Sequence, residues 1–290
     1  MTERSEIDPL DAALDELFGA PGSGEQNVAP VDVTHPDSRV FVWDLESGPQ
    51  TKSRTARYYT PLPAPRESDP ASVEVGNLGK EKAQEKIEAK RQEHEEVLAR
   101  FESDEINHWE TFQDQCALNP ATGRVLTSQY LFVDKDDAIY VHEAGWKQDD
   151  ANERAVLEAF WERVDHVRRS SGRIIGYNIS DWDFPFACQR SAYHGLTLPK
   201  GLMWRNRYLA DFWIDLYAIW KRGRHQKFTE ACGFKLKEVC TFLGLKNKSM
   251  DGGTFWKKYK NAKTRAEALE YAAGDVVIEA QLARRLGVIE

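Results

Sequence analysis

The chain has 290 residues, 41% of them hydrophobic and 30% charged, with a formal net charge of −8. That length can bury one sizeable core, as single mixed α/β domains do, and no apolar run approaches the ~20 residues of a membrane span. Four scattered cysteines (Cys116, Cys188, Cys232, Cys240) form no Cys-x-x-Cys pair, which argues against a disulfide framework or zinc site. The first residues lack the basic and apolar stretches of a signal peptide, so a cytosolic chain is expected.

Residues 1–36 mix Gly, Pro, Ser and acids and are expected to form a largely disordered tail; eight acids and one base fall within 1–35. Within it Ile7, Leu10, Leu14, Leu17 and Phe18 recur at helical spacing behind Asp8-Pro9. That segment reads either as transient structure or as a helix that docks on a partner, a replication or repair protein. The remainder, 37–290, is expected to be one catalytic domain. Its first strand is expected at 39–46, followed by a Pro-containing loop at 49–72 and a charged helix at 79–101. Residues 49–110 read as an insertion, either a lid over a cleft or a peripheral decoration.

Alternating apolar and polar residues at 111–118 and 124–133, around Asn119-Pro120-Ala121-Thr122-Gly123, give a hairpin signal. A short strand is expected at 138–142. Val156, Phe160, Val164 and Val167 then mark a helix over 152–169. A strand at 173–177, a helix at 184–193 and a strand at 209–214 follow, with helices near 215–222, 235–243 and 264–286. Residues 200–263 hold fifteen Lys or Arg against five Asp or Glu. This is the electrostatic footprint of a phosphate-gripping surface, although a solvated face accounts for any one cluster equally well. The aromatics interleaved there (Trp204, Tyr208, Trp220, Phe228, Trp256, Tyr259) suit base stacking or, for most of them, the core.

Three acidic segments stand out. Asp44 and Glu46 lie in Val-Phe-Val-Trp-Asp-Leu-Glu-Ser-Gly-Pro, where strand alternation puts both on one face. Asp183 lies in Asn178-Ile179-Ser180-Asp181-Trp182-Asp183-Phe184-Pro185, with Asp181 as second choice. Tyr271 and Asp275 are four apart, hence on one helical face. Carboxylates converging from separate elements suit hard divalent cations. No Gly-x4-Gly-Lys-Ser/Thr is present, so P-loop nucleotide hydrolysis is unsupported.

In this order the motifs resemble the DEDD superfamily of 3′→5′ exonucleases, in particular predicted exonucleases, many from phages, related to the proofreading domain of family-B DNA polymerases. The family patterns are Asp-x-Glu followed by Thr-Gly-Pro, Asn-x3-Phe-Asp-x-Pro, and Tyr-x3-Asp. Here Trp182 stands for Phe, and Glu270 before Tyr271 marks the tyrosine subclass. The likeness runs from about residue 40 to 287.

The resemblance implies an α/β, ribonuclease H-like mixed β-sheet flanked by α-helices. It also implies a site for two divalent cations, Mg²⁺ or Mn²⁺, roughly 4 Å apart. By the same resemblance Asp44 bridges both ions, and Glu46 and Asp275 complete the one that holds the attacking water. Asp183 serves the second, beside the leaving 3′-oxygen. Tyr271 orients the water or helps deprotonate it, Asn178 positions the terminal nucleotide, Leu45 wedges against its base, and Lys248 contacts the backbone. The expected substrate is a single-stranded DNA 3′ end, in the bacterial cytoplasm or, for a phage-encoded chain, that of the host. RNA is the alternative, and a catalytically silent nucleic-acid-binding module a further one.

Overall fold

The computed structural model describes residues 37–63, 65, 76, 79–146, 150–199, 212–221, 234–248, 250 and 252–290. The expected acidic tail and its helix lie outside them, as does about two fifths of the basic stretch.

Strand β1 (Val40–Pro49) is the centre of a five-stranded mixed sheet ordered β3-β2-β1-β4-β5. It pairs antiparallel with β2 (Gly123–Phe132) and parallel with β4 (Arg173–Gly176). Strand β3 (Ala138–Glu143) lies antiparallel on β2, and β5 (Trp213–Asp215) parallel on β4. Alternation along β1 divides the core. Phe41, Trp43 and Leu45 face one side, where α3 (Asp150–Arg169) and α4 (Asp183–Tyr193) supply Val156, Phe160, Val164 and Phe186. Val42 faces the other, with Val239 and Cys240 of α6 (Leu236–Leu243) and Ala273, Val276 and Val277 of α8 (Arg265–Arg285). Each fully buried apolar side chain of this size contributes about 1.5–3 kcal/mol, so the sheet is clamped on both faces. This is the expected α/β, ribonuclease H-like arrangement.

Several boundaries differ from expectation. Residues 111–118 are not a strand but the end of α2 (Lys80–Leu118), a 39-residue helix. The alternation was misleading because Phe112 and Cys116 are also four apart, and helical contacts claim them. Ser47 Oγ donates to Ala117 O at 2.7 Å, and Trp256 Nε1 to Asp114 Oδ1 at 2.9 Å. The helix stops before Asn119-Pro120, since a residue preceding proline avoids helical geometry. Residues 49–72 hold a four-residue helix, α1 (Lys52–Thr55), and a 3-10 turn over Ala56–Tyr58. The chain then packs on α2: Tyr59 Oη donates to Glu105 at 2.6 Å, and Tyr59 meets Trp109 edge to face. Strand β1 runs through Ser47-Gly48-Pro49, with a register shift after Glu46.

Among the described residues the remaining α-helices are α5 (Leu216–Lys221) and α7 (Phe255–Lys260). Trp256 and Tyr259 of α7 are core residues, 4% and 0% exposed. Cys116, Cys188 and Cys240 are buried free thiols.

Candidate active site

Because Asp44 and Glu46 alternate with the core residues of β1, they share the face that looks at α8. Helix α8 crosses there and presents Tyr271 and Asp275 one turn apart. The result is an acidic group in which one carboxylate oxygen from each of Asp44, Glu46 and Asp275 lies within 4.8 Å of the others. This cluster could hold a metal ion. Asp183, at the first turn of α4, lies beside it but outside that tight set. Its Oδ1 accepts from Leu45 N–H at 3.4 Å, and its side chain is 2% exposed.

The second segment is held from below. Asn178 adopts a left-handed φ of 64°, a conformation asparagine tolerates better than most residues. Asp215, at the end of the neighbouring strand β5, fastens that turn. Its Oδ1 accepts from Asn178 N–H and Tyr217 N–H at 2.9 Å each, and its Oδ2 from Ser180 N–H at 3.1 Å. It therefore caps α5 and shapes the Asn178 loop at once. Gln129 on β2, paired across from Asp44, donates to Asp44 Oδ2 at 2.7 Å and accepts from Thr127 at 3.1 Å. That contact fixes the Asp44 carboxylate.

Lys248 sits over the cluster. Its Nζ is 2.7 Å from Asp275 Oδ2 and 3.3 Å from Tyr271 Oη. Burial alone lowers the pKa of this ammonium, yet Asp275, Tyr271 and Asp44 together hold it above its ordinary value. The carboxyls behave in the opposite sense. Burial raises Glu46 and Asp183 well above the usual carboxylate range, with Asp44's charge adding to both. Burial also raises Asp44, against Lys248 and Gln129. It pushes Asp275 up to about 6 even though Lys248 pulls it down. Burial, then Glu46 and Asp275, drive the Tyr271 phenol above its ordinary range.

All these groups border one cleft of about 1560 Å³, larger than the ~300–1000 Å³ typical of small-ligand sites. One wall is the end of α2, with Thr111, Asp114, Gln115 and Leu118. Another part of the lining is α6 and its approach, with Lys235, Lys237, Thr241 and Phe242; Phe242 is 77% exposed. Among the described residues none of the cleft's lining comes from 49–110, the stretch expected as a lid or decoration; the α2 wall belongs to 111–118, the stretch expected as a strand. Leu45 is 4% exposed, packs in the core cluster with Trp43 and Phe160, and also borders the cleft. Asn178 and Lys248 both border the cleft.

Hard oxygen donors of this kind suit Mg²⁺ or Mn²⁺. Two observations fit a cation here: Lys248 already places a positive group on Asp275, and Asp275 Oδ1 is buried with no hydrogen-bond partner among the described residues. Sequence reasoning passed over Gln129 and Glu279. A polar Gln alternating with Thr127 looks like a solvent face. Glu279 had one usable signal, its spacing of four from Asp275 inside an apolar run.

Among the described residues no helix is long and apolar enough to cross a membrane. No curated protein matches the chain. A solved structure similar to it is the family B DNA polymerase from the hyperthermophilic archaeon Pyrobaculum calidifontis, at 16% identity and a TM-score of 0.47. That likeness covers 86% of this chain and 24% of the polymerase chain. Residues 118–280 match the model of predicted 3′-5′ exonucleases related to the exonuclease domain of PolB. Asp44 and Glu46 precede the matched residues, but β1 is hydrogen-bonded on both edges to strands within them. The chain belongs to this family of predicted 3′-5′ exonucleases related to the exonuclease domain of PolB.

Proposed function

We propose that the chain is a metal-dependent 3′→5′ exonuclease acting foremost on single-stranded DNA, with Asp44, Glu46, Asp183, Tyr271 and Asp275 as its catalytic set. The observation that carries this reading is the acidic group of Asp44, Glu46 and Asp275 on the floor of an open cleft, with Tyr271 and Asp183 at its edges. A non-enzymatic binding module has no use for carboxylates that repel the phosphates it must hold.

Asp44, Glu46 and Asp275 would hold divalent cations, with Asp183 on the second; two such cations fit the family's chemistry. When bound, these ions neutralise charge on the phosphodiester and lower the pKa of the attacking water. The protein's own groups do the rest. Gln129 keeps Asp44 in one orientation. Tyr271, one turn from Asp275 on the same helical face, orients the attacking water by hydrogen bonding. Asn178, set by Asp215, contacts the terminal nucleotide from the cleft wall. Lys248, Lys235 and Lys237 attract the backbone without reading sequence. Water adds to the terminal phosphorus, the 3′-oxygen leaves with a proton, and a mononucleotide departs. Residues 37–290 form the catalytic domain in this proposal, with 49–110 inserted into it.

The test is 5′-labelled single-stranded DNA with Mg²⁺ or Mn²⁺, wild type beside Asp44→Ala. A ladder shortening from the 3′ end, abolished by EDTA and in the variant, is expected. Binding without shortening would sink the DNA reading. Shortening of RNA alone would make the chain an exoribonuclease, and failure on both would leave a binding module.

A further inference from the structure

Helix α8 brings one more acid to the cleft. Glu279 follows Asp275 by four residues and Tyr271 by eight, so the three share a helical face. It is 2% exposed, borders the same cleft, and its Oε2 has no hydrogen-bond partner among the described residues. Asp275 Oδ1, one turn away, is orphaned in the same way. Lys248, the ammonium over this face, is engaged with Asp275 and Tyr271. Buried carboxylates are ordinarily paired or coordinate a metal, and a purely structural acid would spend its oxygens on neighbouring donors. Glu153 does so: its two oxygens accept from Val125 N–H, Arg190 and His194. Two unpartnered oxygens at successive turns, facing one cleft, instead leave room for a ligand that donates to oxygen.

We propose that Glu279 is a fifth carboxylate of the cation centre, accepting hydrogen bonds from the water shell of a divalent cation held by Asp44, Glu46 and Asp275. The inference rests on the metal-dependent reading above. Glu279 lies outside the tight group of three, which is why an outer position suits it better than direct coordination. Outer partners of this kind align the inner ligands and tune affinity, and their loss typically weakens metal binding about 10–100-fold.

The experiment is Mn²⁺ binding to the full chain, by calorimetry and by the free-Mn²⁺ electron paramagnetic resonance signal, for wild type, Glu279→Gln and Asp275→Asn. Glu279→Gln is expected to bind Mn²⁺ about 10–100-fold more weakly. Its melting temperature without cation should equal or exceed that of wild type, because an unpaired buried charge is gone, while its rise on adding Mn²⁺ should shrink. Glu279→Met, apolar and of similar size, serves as the second variant should the glutamine chain fold poorly. Mn²⁺ affinity within twofold of wild type in either folded variant overturns the inference. If that happens while Asp275→Asn loses binding, the metal-dependent reading stands without it. No Mn²⁺ binding by wild type would overturn both.

Discussion

Glu153 and Glu279 are equally buried acids, 1% and 2% exposed, on opposite sides of the sheet. At Glu153, Arg190 supplies two hydrogen bonds of 2.8 and 2.7 Å, His194 lies at 3.0 Å and Val125 N–H donates at 2.8 Å. Burial works against its charge, but these partners outweigh it and hold the carboxyl below the usual range. At Glu279, burial and then the charge of Asp44 push the carboxyl well up, and Oε2 has no hydrogen-bond partner among the described residues. Burial alone therefore does not separate a structural acid from a functional one. The number of donors the protein itself provides does.

The largest effect expected from this contrast is at the satisfied site. Arg190→Ala strands the Glu153 charge and should cost about 3–5 kcal/mol, read by urea unfolding. The same acid sets a pH dependence. Its folded-state pKa lies below the unfolded one, so its contribution is present above the usual 4.5 and is lost as pH falls through the folded value. Stability against acid should accordingly fall less steeply in Glu153→Gln than in wild type below that point. At the unsatisfied site the order reverses. Asp275→Asn should reduce kcat about 10²–10³-fold, the scale of losing one preorganised electrostatic group. Glu279→Gln, which breaks no ion pair among the described residues, should shift unfolding by less than about 1 kcal/mol in EDTA, within the range of mild substitutions. Equal stability losses in Arg190→Ala and Glu279→Gln would break the comparison. The smallest effect sharpens it: Asp215→Ala leaves the Asn178, Ser180 and Tyr217 N–H groups without their acceptor, costing about 1–3 kcal/mol. Because it loosens the turn that carries Asn178, the residue proposed to contact the terminal nucleotide, KM for oligonucleotides should rise more than kcat falls.

Much of this was legible in the chain. The acids of β1 could be placed by alternation, and Tyr271 with Asp275 by a helical step, because both periodicities are local. The parallel pairing of β1 with β4 carries no local signature, yet it draws Asp183 to within reach of Leu45 N–H. Residues 111–118 misled because eight residues of alternation fit a strand as well as a helix end, and only contacts to Ser47 and Trp256 decide between them. Glu279 was invisible as a single acid in a helix, where an exposed salt-bridging role is the ordinary expectation. Its burial is a tertiary fact: α8 shares an apolar cluster with β1 and α6.

Helix α2 has one further consequence. At 39 residues and 1.5 Å per residue it is about 58 Å long, but its only buried residues are Cys116 and Ala117, near the cleft wall. Its outer turns rest on local propensity and short-range pairs such as Lys90 with Glu93 at 2.9 Å, worth a few tenths of a kcal/mol each. A single continuous helix thereby has one half held by local interactions and one half anchored to the sheet. Amide protons of residues 80–100 should exchange with solvent through local opening, whereas those near Cys116 exchange only when the sheet itself lets go.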